Sequence, residues 1–259
     1  MTRIGAIVGA LTITLALSCG VLAPRASATA GFRLGFTDDA SFIQGTSADS
    51  AVELGRAQAS GATVGRFFLQ WRAVGPSRPP STRLAEDPGW SGYRWTDVDR
   101  AVRRMSAAGF VTVPSVFAAP DWAQAAGAPT VSSGKPVRPG TWRPSASAFR
   151  SFAVALARRY SGTYPDPLNA GEGLPAVRSW QVWDEPNLTT YIAPQWERTK
   201  TGLAPASPGI YRNLLNAFYD GVKSVSSKNY VITAGTSPYG ELVDGGWRIP
   251  PARFWRAVF

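Results

Sequence analysis

The chain has 259 residues, a single cysteine, no histidine and a formal net charge of +10. Without histidine, Ser-His-Asp hydrolysis, Cys-His proteolysis and His-ligated zinc are excluded, and one cysteine cannot form an internal disulfide. Carboxylates, helped by Tyr, Lys and Arg, are left to carry any chemistry, with no metal and no cofactor expected.

Arg3 opens a short positive region, Ile4 to Leu17 is mostly apolar, and small-x-small cleavage sites follow at Ala26-Ser27-Ala28 and Ala28-Thr29-Ala30. The apolar run is too short to span a bilayer. Residues 1–30 therefore read as a secretory signal peptide, cleaved after Ala28 or Ala30, which predicts an extracellular protein with no membrane attachment after cleavage. Loss of Arg3 and Arg25, with no acid lost, lowers the charge from +10 to +8. The arginines are scattered along helix faces rather than clustered, so the charge reads as solvated surface and no nucleic-acid partner is expected.

From Gly31 the chain alternates strand-like and helix-like segments. Leu34 to Thr37 is a short first strand, Ala48 to Ala59 a weakly amphipathic helix, and Thr63 to Leu69 a second strand. A Pro/Ser/Arg-rich loop from Gly75 to Gly92 leads to a helix with Val98, Ala101, Val102 and Met105 on one face, closed by Gly109. Phe110 to Phe117 is a third strand, in which Pro114 predicts a bulge or a break. The long Gly/Pro-rich loop from Ala118 to Pro144 has the length of a functional one.

A third helix carries Phe149, Phe152, Ala153, Leu156 and Tyr160 at helical spacing. The apolar run Val177 to Val182 is a fourth strand. Ser207, as N-cap, and Pro208 open a fourth helix with Ile210, Leu214, Phe218 and Val222 facing inward. Tyr230 to Ala234 is a fifth strand, and Phe254 to Phe259 opens a further helix. Apolar strands without strict alternation, separated by helices, predict a parallel sheet in an α/β domain spanning residues 31–259.

The most informative segment follows the fourth strand. In Val182-Trp183-Asp184-Glu185-Pro186-Asn187 a carboxylate ends a buried strand and a proline follows at once. Proline gives no N–H to a ladder, so Glu185 sits where the chain leaves the sheet, on the edge where parallel sheets bind ligands. Period-two alternation predicts that Gln181, Trp183 and Glu185 share one face, with Trp180, Val182 and Asp184 on the other.

Trp183-Asp184-Glu185-Pro186-Asn187 resembles the Trp-Asn-Glu-Pro-Asn motif of clan A glycoside hydrolases, above all the cellulase-like family 5 and the xylosidase-like family 39. The resemblance implies a (β/α)8 TIM barrel, of which the chain carries about the first five strands and four helices. It therefore implies a barrel truncated at its C-terminus, and an inactive fragment. It also implies a retaining glycosidase acting on O-glycosyl bonds of a β-linked poly- or oligosaccharide. Glu185 takes the role of general acid/base. Arg66, in the second strand, resembles the arginine that supports the nucleophile; a salt bridge to another strand is its other reading.

Asp184 departs from the motif's asparagine, which donates to the sugar 2-hydroxyl; an ionised aspartate only accepts, so a contact of Asp184 with the 2-hydroxyl would accept from it instead. It also raises the pKa of Glu185 by like-charge repulsion. The segment Ala118 to Ala123 resembles a Pro-x-Trp-Ala stretch of family 39 relatives. Trp71, Trp122, Trp183 and Trp196, at or after strand ends, are candidate sugar platforms with Asn187, whereas Trp180, Trp247 and Trp255 read as core. The nucleophile is expected beyond Phe259, with Glu241, after strand five, the nearest candidate within the chain. A carbohydrate-binding protein that kept the fold without the chemistry is the alternative.

Overall fold

The computed structural model describes residues 31–78 and 80–259; the predicted signal peptide lies outside the described residues. Five strands form one parallel sheet: β1 (Leu34–Thr37), β2 (Ala62–Gln70), β3 (Val111–Phe117), β4 (Ser179–Val182) and β5 (Tyr230–Thr233). Their spatial order is their chain order, β1-β2-β3-β4-β5, and every pairing is parallel. Among the described residues, five helices of eight residues or more connect or follow them: α1 (Ser47–Ala59), α2 (Thr96–Ala107), α3 (Ala146–Arg159), α4 (Ser207–Val225) and α5 (Pro251–Val258). Sequential parallel strands with helical crossovers are the winding of a (β/α)8 barrel, and the sheet forms an arc of one.

Local sequence explains the boundaries. Thr46 and Asp49 close a reciprocal capping box at the start of α1, each side chain accepting the other's backbone N–H at 3.2 Å. Gly109 ends the turn after α2 at φ +74°, a conformation that costs a side-chain-bearing residue about 1–2 kcal/mol. Gly221 in α4 lies so close to α3 that a Cβ there would stand 2.6 Å from the Arg150 carbonyl. Only glycine admits that approach.

Two expectations are corrected. Pro114 neither bulges nor breaks β3: Val64–Gln70 runs in unbroken register with Val111–Phe117, and Pro114 stands opposite Phe67. Peptide groups two residues apart point the same way in a strand, and the Val116 carbonyl accepts from the Trp183 N–H on the β4 side. The missing N–H of Pro114 therefore faces β4, where pairing begins only at Ser115. Ser207 is not the N-cap of α4 but its first residue. Its hydroxyl donates to Gln195 Oε1 at 2.9 Å instead of capping the helix.

The core lies between sheet and helices. Phe67 and Leu69 of β2 are buried there, and Gly65 makes room for Met105 of α2. Trp71 and Trp95 both stack on Phe152 of α3, at interplanar angles of 14° and 5°. Trp180 is buried as expected, but Trp247 and Trp255 are only half-buried. On the other side of β2, Arg66 and Phe68 face the concave side of the sheet. The outer strands carry exposed apolar residues, Leu34 and Phe36 on β1 and Tyr230 and Ile232 on β5. Among the described residues no helix is long and apolar enough to cross a membrane.

Candidate active site

At the C-terminal ends of β1 to β4 a polar cluster breaks the apolar interior. Arg66 projects from β2 and donates Nε to Gln181 Oε1 of β4 at 2.6 Å. One terminal nitrogen donates to Asp184 Oδ1 at 2.8 Å and to Ser115 Oγ of β3 at 3.3 Å. Its guanidinium also lies 4.6 Å from the centre of the Phe68 ring. The acid partner of Arg66 within the described residues is thus Asp184, through an ion pair whose side chains are 23% and 12% exposed. That is the inter-strand salt bridge that the sequence left open as a second reading for Arg66.

The pairing exists because β4 ends abruptly. Trp183 adopts φ +68° and Glu185 φ +30°, both in the left-handed region that non-glycine residues seldom visit. The kink is over-determined by its surroundings. The Trp183 N–H donates to the Val116 carbonyl, its carbonyl accepts from Ser115 Oγ, and its indole N–H donates to the Tyr191 carbonyl at 2.8 Å. Strict alternation would have sent Asp184 away from Arg66; the kink turns it back to the concave side. The same kink buries the Trp183 ring completely, edge-on to Phe149 and Phe117.

The carboxylates respond to this environment. Glu185 is half-buried, and its pKa is raised by burial first and by the charge of Asp184 second, against a smaller opposing pull from Arg66. Asp184 is raised as well: burial outweighs the opposing pulls of Arg66 and Tyr191. Tyr191 is pushed up to about 12, by burial and then by Asp184.

Asp39, which sequence reasoning missed, belongs to the same cluster. It lies two residues past β1, accepts the Phe68 N–H at 2.6 Å and is raised mainly by burial, with Arg66 opposing. An acid just past a strand tip was a readable signal there, the same one that singled out Glu185. Ser115 and Gln181, polar residues within apolar strands, were readable too.

The remaining predicted residues do not converge on Glu185 as ligand contacts. Trp71 is 1% exposed and Trp183 is fully covered, so neither presents a face to a sugar. Trp122 packs edge-on to Trp71 and donates its indole N–H to the Pro76 carbonyl. Trp196 is buried, donates to the Gly246 carbonyl and lies under Arg253. Asn187 is fully buried and fully bonded. Its amide nitrogen donates to the Ser237 and Ile249 carbonyls, and its oxygen accepts the Ser237 N–H. It clasps the loop after β5 to the loop after β4, a structural task in place of a substrate contact. Glu241, in the clasped loop, accepts the Arg248 N–H at 2.7 Å and the Arg248 Nε at 3.3 Å.

No protein-family model matches the chain, and no curated protein matches it in sequence. Among solved structures, the chain is similar to a monomeric beta-xylosidase from Caulobacter crescentus CB15. Identity there is 17% and the TM-score 0.46, over 77% of this chain and 35% of that one. It is similar to the GH39 enzyme from Xanthomonas axonopodis pv. citri at 16% identity and TM-score 0.48, over 77% and 34% of the two chains. A third is GH5_18 from Streptomyces cattleya in complex with GlcNAc, at 12% identity and TM-score 0.43, over 83% and 47%. The chain thus spans between about a third and a half of the length of these structures.

Proposed function

We propose that the protein is a secreted retaining glycoside hydrolase that cleaves O-glycosyl bonds of a β-linked poly- or oligosaccharide, with Glu185 as general acid/base. The observation that carries this reading is the Glu185 carboxyl. It stands on a kinked strand tip at the C-terminal end of a parallel sheet, half-buried, with its pKa raised by burial and by Asp184. A raised pKa keeps a carboxyl protonated toward neutral pH, which is what proton donation to a leaving oxygen requires.

In the retaining scheme Glu185 protonates the glycosidic oxygen as a second carboxylate attacks the sugar, and then, ionised, takes a proton from the water that releases it. Asp184 and Arg66 act through Glu185. Asp184 raises it and Arg66 limits the rise, and Ser115 and Gln181 hold Arg66 in place. The attacking carboxylate is not assigned to a residue of this chain.

The test is turnover of a panel of aryl β-glycosides and polysaccharides by the full-length protein and its Glu185→Ala variant. Substrates with poor leaving groups are expected to lose about 100-fold or more, the usual reach of general acid catalysis, and those with very good leaving groups less. Equal losses across the panel would remove Glu185 from this role. Sugar binding without turnover in the parent would favour the non-catalytic alternative.

A further inference from the structure

A second charged region lies away from Glu185, on the outer side of α2. A cavity of about 590 Å³ opens there, with Arg100, Arg103 and Arg104 of α2 and Arg159 of α3 in its lining. Two of these arginines are neutralised. Arg159 forks onto Asp99 at 2.8 and 2.5 Å, and Arg103 forks onto Asp166.

The other two are not balanced in the same way. Arg104 forms no ion pair among the described residues. Its guanidinium is oriented by neutral oxygens alone: the Gly45 carbonyl at 3.1 Å, Ser50 Oγ at 2.7 Å and Ser47 Oγ at 2.9 Å. Arg100, one turn earlier on the same helix face, donates to the Ile43 carbonyl at 2.9 Å and, among the described residues, pairs only with Asp97, which is 66% exposed. The Arg100 Nε is buried and has no hydrogen-bond partner among the described residues. Like charges four residues apart on a helix repel. Arg104 accordingly sits below the ordinary guanidinium range, through burial first and Arg100 second.

A bound anion relieves the charge imbalance of this pair. It offsets the repulsion between Arg100 and Arg104 and uses a fork already oriented by serines. The volume exceeds what a bare oxyanion fills and falls in the range of small-molecule sites. Trp95 and Leu168 supply apolar wall.

We propose that this cavity is a binding site for an oxyanion, phosphate or carboxylate, carried on an apolar body, with Arg100 and Arg104 gripping the anion.

The test is calorimetric titration of the full chain with phenyl phosphate, benzoate, inorganic phosphate and phenol. Saturable one-to-one binding of phenyl phosphate or benzoate is expected, tighter than that of phosphate or phenol; the tighter of the two identifies the oxyanion. Arg104→Gln and Arg100→Gln should each weaken it by about tenfold or more, because each removes a charge-assisted hydrogen-bond donor. Glycoside turnover should stay unchanged in both. Arg104 also ties down Gly45, Ser47 and Ser50, so thermal unfolding is followed in parallel. If Arg104→Gln fails to fold, Arg100→Gln, which leaves those ties intact, decides. Absent saturation, equal affinity of phenol, or parent-like affinity in the folded variants would overturn the proposal.

Discussion

The ion pair at the centre of the site makes an asymmetric prediction about stability. Replacing Asp184 by Asn keeps an acceptor for Arg66 but removes the negative charge from their hydrogen bond. That change loses about 1 kcal/mol. It also removes the need to hold an ion in a site where its side chain is 12% exposed, a cost of several kcal/mol. The raised pKa of Asp184 gives the direction, since burial outweighs the partners and folding favours the neutral carboxyl more than the unfolded chain does.

A carboxyl raised in the folded state contributes stability that is full below its unfolded pKa and lost as pH rises through its folded pKa. Asn mimics the neutral form. Asp184→Asn should therefore match the parent in acid and exceed it by about 1 kcal/mol at about pH 7. That corresponds to roughly 2–4 °C in Tm for a domain of this size. Arg66→Met does the opposite. It strands Asp184, with Asp39 nearby, and should cost about 3–5 kcal/mol at about pH 7, shrinking in acid as the carboxyls protonate. Urea unfolding followed by tryptophan fluorescence, in steps from about pH 4 to about pH 7, reads both differences. A loss in Asp184→Asn as large as that in Arg66→Met at neutral pH would refute the reasoning.

The same variant has a kinetic signature, because removing the negative neighbour lowers the pKa of Glu185 and should move the alkaline limb of the pH–rate profile of an active enzyme to lower pH. Asn187→Ala leaves two buried carbonyls and one N–H without partners, and should cost about 3 kcal/mol; limited proteolysis should cut the loop after β5 faster. Asp99→Asn removes the carboxylate that Arg159 forks onto and that accepts the Tyr160 hydroxyl, and should cost about 3 kcal/mol in denaturant unfolding. Ile232→Lys, on the exposed outer strand β5, should lower self-association in light scattering and leave the unfolding midpoint nearly unchanged.

Most of the fold was legible because β/α alternation is written in apolar runs and helical spacing. β1 is found at its predicted bounds, and β2, β3 and α1 end within a residue or so of them. Pro114 misled because a local rule about proline says nothing of where a neighbouring strand begins. Ser207 misled because Gln195, twelve residues earlier, offered its hydroxyl an acceptor. The polar cluster was legible in part: Arg66 stands out as a lone charge within the apolar second strand and Glu185 as a carboxylate just past the fourth, and the structure brings both beside Asp184. The places of Trp71, Trp183 and Asn187 were not legible. Side-chain type marked these as ligand contacts, but burial is a tertiary property, and each is enclosed by segments far away in sequence.

The backbone at Trp183 shows how one local departure sets the whole site. Had β4 continued with period two, Asp184 would face the helices and Arg66 would lack its carboxylate on the concave side. The left-handed turn reverses that, and its cost of about 1–3 kcal/mol is met by the three hydrogen bonds that fix Trp183 and by complete burial of its ring. Because the turn carries Asp184 inward, it also sets Asp184 and Glu185 side by side, where the first raises the second. Strain at Trp183, the ion pair and the proton affinity of Glu185 are therefore one arrangement. A substitution that relaxes the turn should change all three together, and one that only removes the Arg66 charge should raise Glu185 and leave the turn in place.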